Sequence, residues 1–226
     1  AALAGHRVAE IADLAAAREA TLVIVTNPNN PDGRLFNKNE LIALAKRLAT
    51  RGGLLVVDEA FMDVGPPDAS LAGEVGKNAI VVLRSSGKFF GLAGIRLGFA
   101  LAPPQLAGRL SAKLGPWAVS GPALAIGTTA LADRAWIDEA RNRLIAAADR
   151  LKAILLSAGL EIVGGTALFQ LARTPAAYDL FHHLGRAGIL VRSFPEHPSW
   201  LRFGLPGTEA DWARLQMAMA ACAAMR

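Results

Sequence analysis

One cysteine and one tyrosine in 226 residues are what this sequence is shortest of. The lone Cys222 excludes an internal disulfide framework and fits a reducing cytoplasm. It sits in MAMAACAAM (217–225), where a core position on a helix suits it better than the role of a catalytic thiol. Histidine is scarce too, with four residues. His182 and His183 are neighbours on a helical stretch and cannot share a face, and His6 and His197 stand alone, so no metal-ligand set emerges. A GxSxG elbow and a GxGxxG loop are both missing. Gly87-Lys88 is followed by Phe89, and position 82 is Val, which excludes a Walker A phosphate loop. No apolar run reaches the length of a membrane span: Leu54–Val57 is strand-sized and 217–225 is an alanine-rich helix end. The opening AALAGHRVAE has neither the basic nor the apolar segment of a signal peptide. It also lacks a methionine, so the expectation is a processed or truncated start.

Charge excludes one more class. The formal net charge is +5, but Arg134, Arg141, Arg143, Arg150 and Lys152 are scattered and interleaved with acids, with no aromatic-basic stripe. That is no nucleic-acid footprint, and it suits a protein that handles small anions.

What is present is a core. Hydrophobic residues make up 53% of the chain, enough for one large domain or two smaller ones. TLVIVT (21–26) is a β-branched run of the kind buried on both faces in a parallel sheet. It stops at the turn cluster NPNNPDG (27–33). Asn37 and Glu40 read as a capping box ahead of a helix with Leu41, Leu44, Ala45 and Leu48 on one face, ended by Gly52-Gly53. Strands follow at 54–57, 80–83 and 97–101. This alternation predicts an α/β layer with a mostly parallel sheet. Helices are expected at 105–114, 121–133 behind Ser120, and 135–157, the last with an exposed Glu139–Arg143 pair. Beyond Gly159 the pattern changes to strands at 160–163, 167–171, 189–192 and 200–203. Helices lie at 176–187 and after Thr208. The reading is a major α/β domain over 1–134 and a small α+β domain over 135–226.

In parallel sheets ligands bind past the carboxyl ends of the strands. Asn30, Asp58 and Lys88 all fall there. Lys88 stands in VVLRSSGKFFGLAGIRLG (81–98), between Gly87 and Phe89-Phe90. Apolar surroundings would disfavour its ammonium form and free the amine as a nucleophile. Ser85 and Arg96 offer a hydroxyl and a guanidinium suited to a phosphate. These residues suggest a Schiff-base lysine beside a cofactor phosphate. Singly each has a blander reading: Lys88 as a solvated lysine, Asp58 as a helix cap, Asn30 as a turn former, Arg96 in a structural salt bridge and Arg202 as a strand-edge charge.

The ordered set NPNNPDG, DEAF (58–61), SSGK (85–88), Arg96 and LRFG (201–204) resembles the fold-type-I pyridoxal-phosphate enzymes, in their histidinol-phosphate aminotransferase-like branch. The resemblance covers nearly the whole chain. It implies that Lys88 bonds pyridoxal 5'-phosphate and that Asp58 faces the pyridine nitrogen. Asn30 would meet the phenolic oxygen, and Ser85 and Arg96 the cofactor phosphate. Arg202 would meet a substrate carboxylate. Phe61 stands where the aminotransferases carry a tyrosine donor, and Gly115-Pro116-Trp117-Ala118-Val119 departs from their Pro-Phe/Tyr-Asn-Val pattern. With DEAFMD and SSGKFFGLAGIRLGFA, these departures are similar to the threonine-phosphate decarboxylase family of cobalamin biosynthesis. That family converts L-threonine O-3-phosphate to (R)-1-aminopropan-2-ol phosphate and carbon dioxide. The resemblance implies a homodimer acting on a small phosphorylated amino acid, with Arg192 a candidate for the substrate phosphate. It also implies a further N-terminal portion carrying a phosphate-binding turn and an aromatic that stacks on the cofactor. The alternatives are a histidinol-phosphate-type aminotransferase or a truncated, non-catalytic remnant.

Overall fold

The structure, a computed structural model, describes residues 2–17 and 19–223, without the side chains of residues 222 and 223. The expected core position of Cys222 therefore lies outside the described residues.

The first sheet has the order β1 (Leu22–Thr26), β2 (Leu54–Asp58), β3 (Ile80–Ser85) and β4 (Gly98–Leu101). The first three strands run parallel and β4 returns antiparallel to β3. Helix α1 (Lys38–Ala49) covers one face, because Leu41, Leu44, Ala45 and Leu48 recur at helical spacing and meet Val23, Val25, Leu55, Val57, Ile80 and Val82. Asn37 caps α1 by accepting from the Asn39 N–H at 2.8 Å. Glu40 returns no hydrogen bond among the described residues, so the box is only half made. Gly52, at φ +66°, turns the chain so that the Gly53 N–H reaches the Leu48 carbonyl at 2.8 Å. One expectation fails here. TLVIVT was expected to be buried on both faces, yet Leu22 is 42% and Ile24 62% exposed. β1 is an edge strand with a helix layer on one side only among the described residues.

Helices α2 (Pro104–Leu114), α3 (Gly121–Ala132) and α4 (Arg134–Ser157) follow. The second sheet has the order β5 (Glu161–Thr166), β6 (Phe169–Arg173), β8 (Trp200–Gly204), β7 (Arg192–Ser193), antiparallel throughout. Helices α5 (Ala177–Arg186), α6 (Glu209–Ala223) and the second half of α4 pack on one face around Leu151, Leu155, Leu180, Leu184, Leu201, Phe203 and Trp212. The first turns of α4 pack elsewhere, with Ile137 and Ala140 against Phe89.

Three strand expectations shift. The strand expected over 160–163 runs on through Gly164 and Gly165 to Thr166. Residues 167 and 168 form a turn, with the Leu168 N–H on Thr166 Oγ1, so β6 starts at Phe169. The strand expected over 189–192 pairs only from Arg192. Ile189 donates to the Leu184 carbonyl to close α5, and Val191 drops into the core.

Candidate functional site

Because β1, β2 and β3 point the same way, the segments leaving them share one edge. Asp58 is the last residue of β2 and is half-buried. Its Oδ1 accepts from the Ala60 N–H at 2.9 Å, while Oδ2 has no partner among the described residues. Half of the bland reading is therefore real: Asp58 does cap its own turn, with one oxygen to spare. Glu59 turns the other way and is fully buried. It accepts from Ser70 Oγ and the Leu71 N–H, each at 2.7 Å, and from Arg84 Nη1 at 3.0 Å. Arg84 also donates to Asp63, whose carbonyl accepts from Arg141 Nε at 2.8 Å. This network ties the 58–64 segment to β3 and to α4. The sequence reading missed it, although a charged Arg84 inside an apolar strand was a signal for it.

The lysine turn follows β3. Ser85 Oγ accepts from the Gly87 N–H at 3.1 Å, and the Ser86 hydroxyl donates to the Leu97 carbonyl at 2.6 Å. Lys88 is exposed, so the apolar surface expected around it is not there. Phe89 is buried against Ile137 and Ala140, and Phe90 stacks on Trp136. The ring that Lys88 does face is Phe61, with Nζ 5.7 Å from its centroid. Arg96 has φ 57° and ψ 38°, and is the only non-glycine residue with positive φ among the described residues. Such strain costs about 1–3 kcal/mol and gathers at ligand sites. Its guanidinium is exposed, donates to the Ala93 carbonyl at 3.1 Å and has no acidic partner among the described residues. Among the described residues it makes no salt bridge.

The second sheet supplies the opposite wall. Arg202 sits mid-strand in β8, between Leu201 and Phe203 of the core, so strand alternation turns it to the other face. That inner, half-buried position removes the strand-edge reading. Arg202 Nη1 donates to Asn30 Oδ1, joining residues far apart in sequence. Its guanidinium lies over Phe169 at 5.2 Å, and Phe169 meets Phe61 edge to face at 5.3 Å and 84°. Burial, and then the charge of Arg192, its partner in the sheet register, hold the Arg202 guanidinium below its ordinary pKa. It stays a cation regardless, and one short of water beside a like charge favours an incoming anion. Arg192 is exposed, 5.8 Å from the Phe194 ring.

Backbone contact fixes the two walls. A Cβ on Gly33, itself at φ +71°, would lie 1.9 Å from the Gly165 carbonyl oxygen, and one on Gly164 would lie 2.1 Å from the Asp32 oxygen. The structure thus brings Asn30, Phe61, Lys88 and Arg202 into one chain of contacts, with Phe169 as the link that sequence reading missed. Asp58 lies on the same strand-end edge. Ser85 and Arg96 share the lysine turn, and Arg192 touches the set only through its charge on Arg202.

Fold and site together define a two-sheet α/β chain that gathers an amine, a carboxylate and arginines past the ends of parallel strands. This chain belongs to the aminotransferase class I and II family, whose model matches residues 7–218. It is 48% identical over 219 residues to a threonine-phosphate decarboxylase of Pseudomonas aeruginosa, covering 96% of this chain and 66% of that one. A threonine-phosphate decarboxylase of Sinorhizobium sp. is 46% identical over 224 residues, covering 96% and 65%. The chain therefore spans just under two thirds of the length of these curated relatives. Among solved structures, the histidinol-phosphate aminotransferase from Sinorhizobium meliloti in complex with pyridoxal-5'-phosphate superposes with a TM-score of 0.82. It has 24% identity, over 94% of this chain and 60% of that one, and at that identity the likeness speaks for the fold.

Proposed function

We propose that this chain carries active-site residues of a pyridoxal-phosphate-dependent decarboxylase. The enzyme converts L-threonine O-3-phosphate to (R)-1-aminopropan-2-ol phosphate and carbon dioxide in cobalamin biosynthesis. The observation that carries the reading is the Arg202–Asn30 hydrogen bond, which brings a guanidinium from the second sheet to the edge where Lys88 and Asp58 stand. The relatives named threonine-phosphate decarboxylase support the choice of reaction.

The donor set fits the cofactor. Lys88 offers an amine, Asp58 an uncommitted carboxylate oxygen, and Ser85 and Arg96 a hydroxyl and a guanidinium for its phosphate. Asn30 spends its Oδ1 on Arg202, which leaves its amide N–H to donate to a phenolic oxygen. When bound, pyridoxal phosphate supplies an electron sink for the pair left at Cα as a bond there breaks. The uncommitted oxygen of Asp58 would hold the pyridine nitrogen in its protonated form. Arg202 grips the substrate carboxylate with two parallel N–H donors, and Arg192 faces the substrate phosphate. Lys88 Nζ returns a proton to Cα once carbon dioxide has left. Phe61 lines the lysine without a hydroxyl, so the hydrogen bond that a tyrosine there would give the phenolic oxygen is absent or comes from another donor.

The active form is a cytoplasmic homodimer, as the family resemblance implies. The chain divides into residues 1–134 and 135–226, with α4 contributing to the packing of both.

The test is spectroscopic and catalytic. Adding pyridoxal phosphate to the full-length protein is expected to produce a visible absorption band that Lys88→Ala abolishes. The wild type is expected to release carbon dioxide from threonine phosphate. A band that persists in Lys88→Ala removes the lysine assignment. Transamination of histidinol phosphate with 2-oxoglutarate, without carbon dioxide release, would replace the decarboxylase by an aminotransferase.

A further inference from the structure

We propose that Phe169 is a positioning residue of this site, holding the Arg202 guanidinium and the Phe61 ring at a fixed separation so that a substrate carboxylate is presented to Lys88. The inference rests on the decarboxylase reading above.

Phe169 is 4% exposed, yet it belongs to none of the three apolar clusters among the described residues. Its burial comes from the site. Opening β6, it pairs with Thr166 and Gly204, on the face of the second sheet that Leu171 shares with Arg202. That face looks away from the helices of the second core. Arg202 lies over its ring at 5.2 Å, and Phe61 meets it at 5.3 Å, nearly perpendicular. Phe61 in turn lies 5.7 Å from Lys88 Nζ. Two rings therefore stand between the amine and the guanidinium, and Phe169 is the one that touches both Arg202 and Phe61.

The chemistry suits a ring better than an acid. A phenyl face attracts a guanidinium without consuming an N–H. Arg202 then gives one nitrogen to Asn30 and keeps its remaining donors for an anion. A carboxylate at residue 169 would have neutralised the cation that substrate needs. A branched aliphatic of similar bulk would fill the space but offer no face to hold the charge in place.

Phe169→Leu keeps the apolar burial and removes the ring. In the full-length protein it is expected to retain the cofactor band and a kcat close to wild type. KM for threonine phosphate should rise roughly tenfold, the loss of a partly dehydrated cation–ring contact. Inhibition by the product, which has no carboxylate, should stay unchanged. Phe169→Tyr, which restores the face, is expected to bring KM back toward wild type. Phe169→Met repeats the comparison if the leucine variant is insoluble. An unchanged KM in the leucine or methionine variant overturns this inference alone. So does a KM that rises together with the product inhibition constant, since that is general damage. Absence of any cofactor band in the wild type overturns the decarboxylase reading and this inference with it.

Discussion

The two sheets contribute to the site in different ways. The first places its functional groups at and just beyond strand ends: Asp58 and Ser85 close β2 and β3, and Asn30 and Lys88 stand in the turns after β1 and β3. The second places Phe169 and Arg202 on a strand face whose opposite side carries Ala172, Leu201 and Phe203 of the hydrophobic core. The first sheet has its helix layer on one side and leaves Leu22 and Ile24 largely exposed. The second has its helices on one face and the site on the other. A loop is free to vary without disturbing a core, whereas a strand face inherits its position from the packing behind it. The first sheet therefore governs which groups are present, and the second governs how far apart they stand.

If so, the strand-end edge of the first sheet should depend most on what anchors its loops. Arg84→Met leaves the fully buried Glu59 without its cation and frees Asp63. Removing one partner of a buried pair costs about 3–5 kcal/mol, because the remaining charge stays dehydrated. Denaturant unfolding should show that loss, and Arg84→Lys should recover only part of it, since a point charge cannot span both carboxylates. Leu48→Ala and Leu155→Ala come next. Both side chains are fully buried, in different clusters, and each truncation should cost about 2–5 kcal/mol. Hydrogen exchange sharpens the comparison: Leu48→Ala should lower protection in β1–β3, and Leu155→Ala in β5, β6 and α5. Equal losses everywhere would mean that the two sheets unfold as one unit.

Legibility in the sequence follows the same divide. The parallel sheet, its helix and the strand-end residues could be read from alternation, turn words and caps, because each signal is local. Family resemblance added the order of the motifs. What escaped depended on contacts between distant segments. Phe169 reads as an ordinary strand residue until Phe61 and Arg202 are seen on either side of it. The Glu59–Arg84–Asp63 network escaped for the same reason. Besides the outer face of β1, the environment of Lys88 was misjudged: Phe89 and Phe90 are next to it in sequence but turn away toward α4. Adjacency in a tight turn does not fix the side on which a ring packs.

A smaller effect tests the backbone contact between the sheets. Gly33→Ala puts a Cβ into the Gly165 carbonyl at a positive φ, so the loop must retreat. The cost expected is about 1–3 kcal/mol. Exchange should rise in 29–36 and 161–166 and leave both cores unchanged. KM for substrate should rise as Arg202 loses its hold on Asn30.

The smallest effect belongs to the second sheet alone, at the start of α6. The Thr208 hydroxyl donates to Asp211 Oδ2 at 2.7 Å and its backbone N–H does so at 3.1 Å. These bonds, the hydroxyl first, hold the Asp211 carboxyl below its ordinary pKa. A carboxyl depressed in the folded state contributes stability that is fully present above its unfolded pKa, roughly pH 4. That contribution is lost as pH falls through the lower, folded value. Thr208→Ala should therefore lower the melting temperature by a few degrees at neutral pH and by less in acid, and the Asp211 carboxyl should move up toward the ordinary range in an NMR titration. Glu209 is the control: Arg150 lowers its pKa through two hydrogen bonds at 2.7 and 2.9 Å on the surface. Salt should erode the Glu209 shift by screening its ion pair and erode that of Asp211 less, because its main partners are a neutral hydroxyl and an amide and its ion pair with Arg214 is the smaller cause.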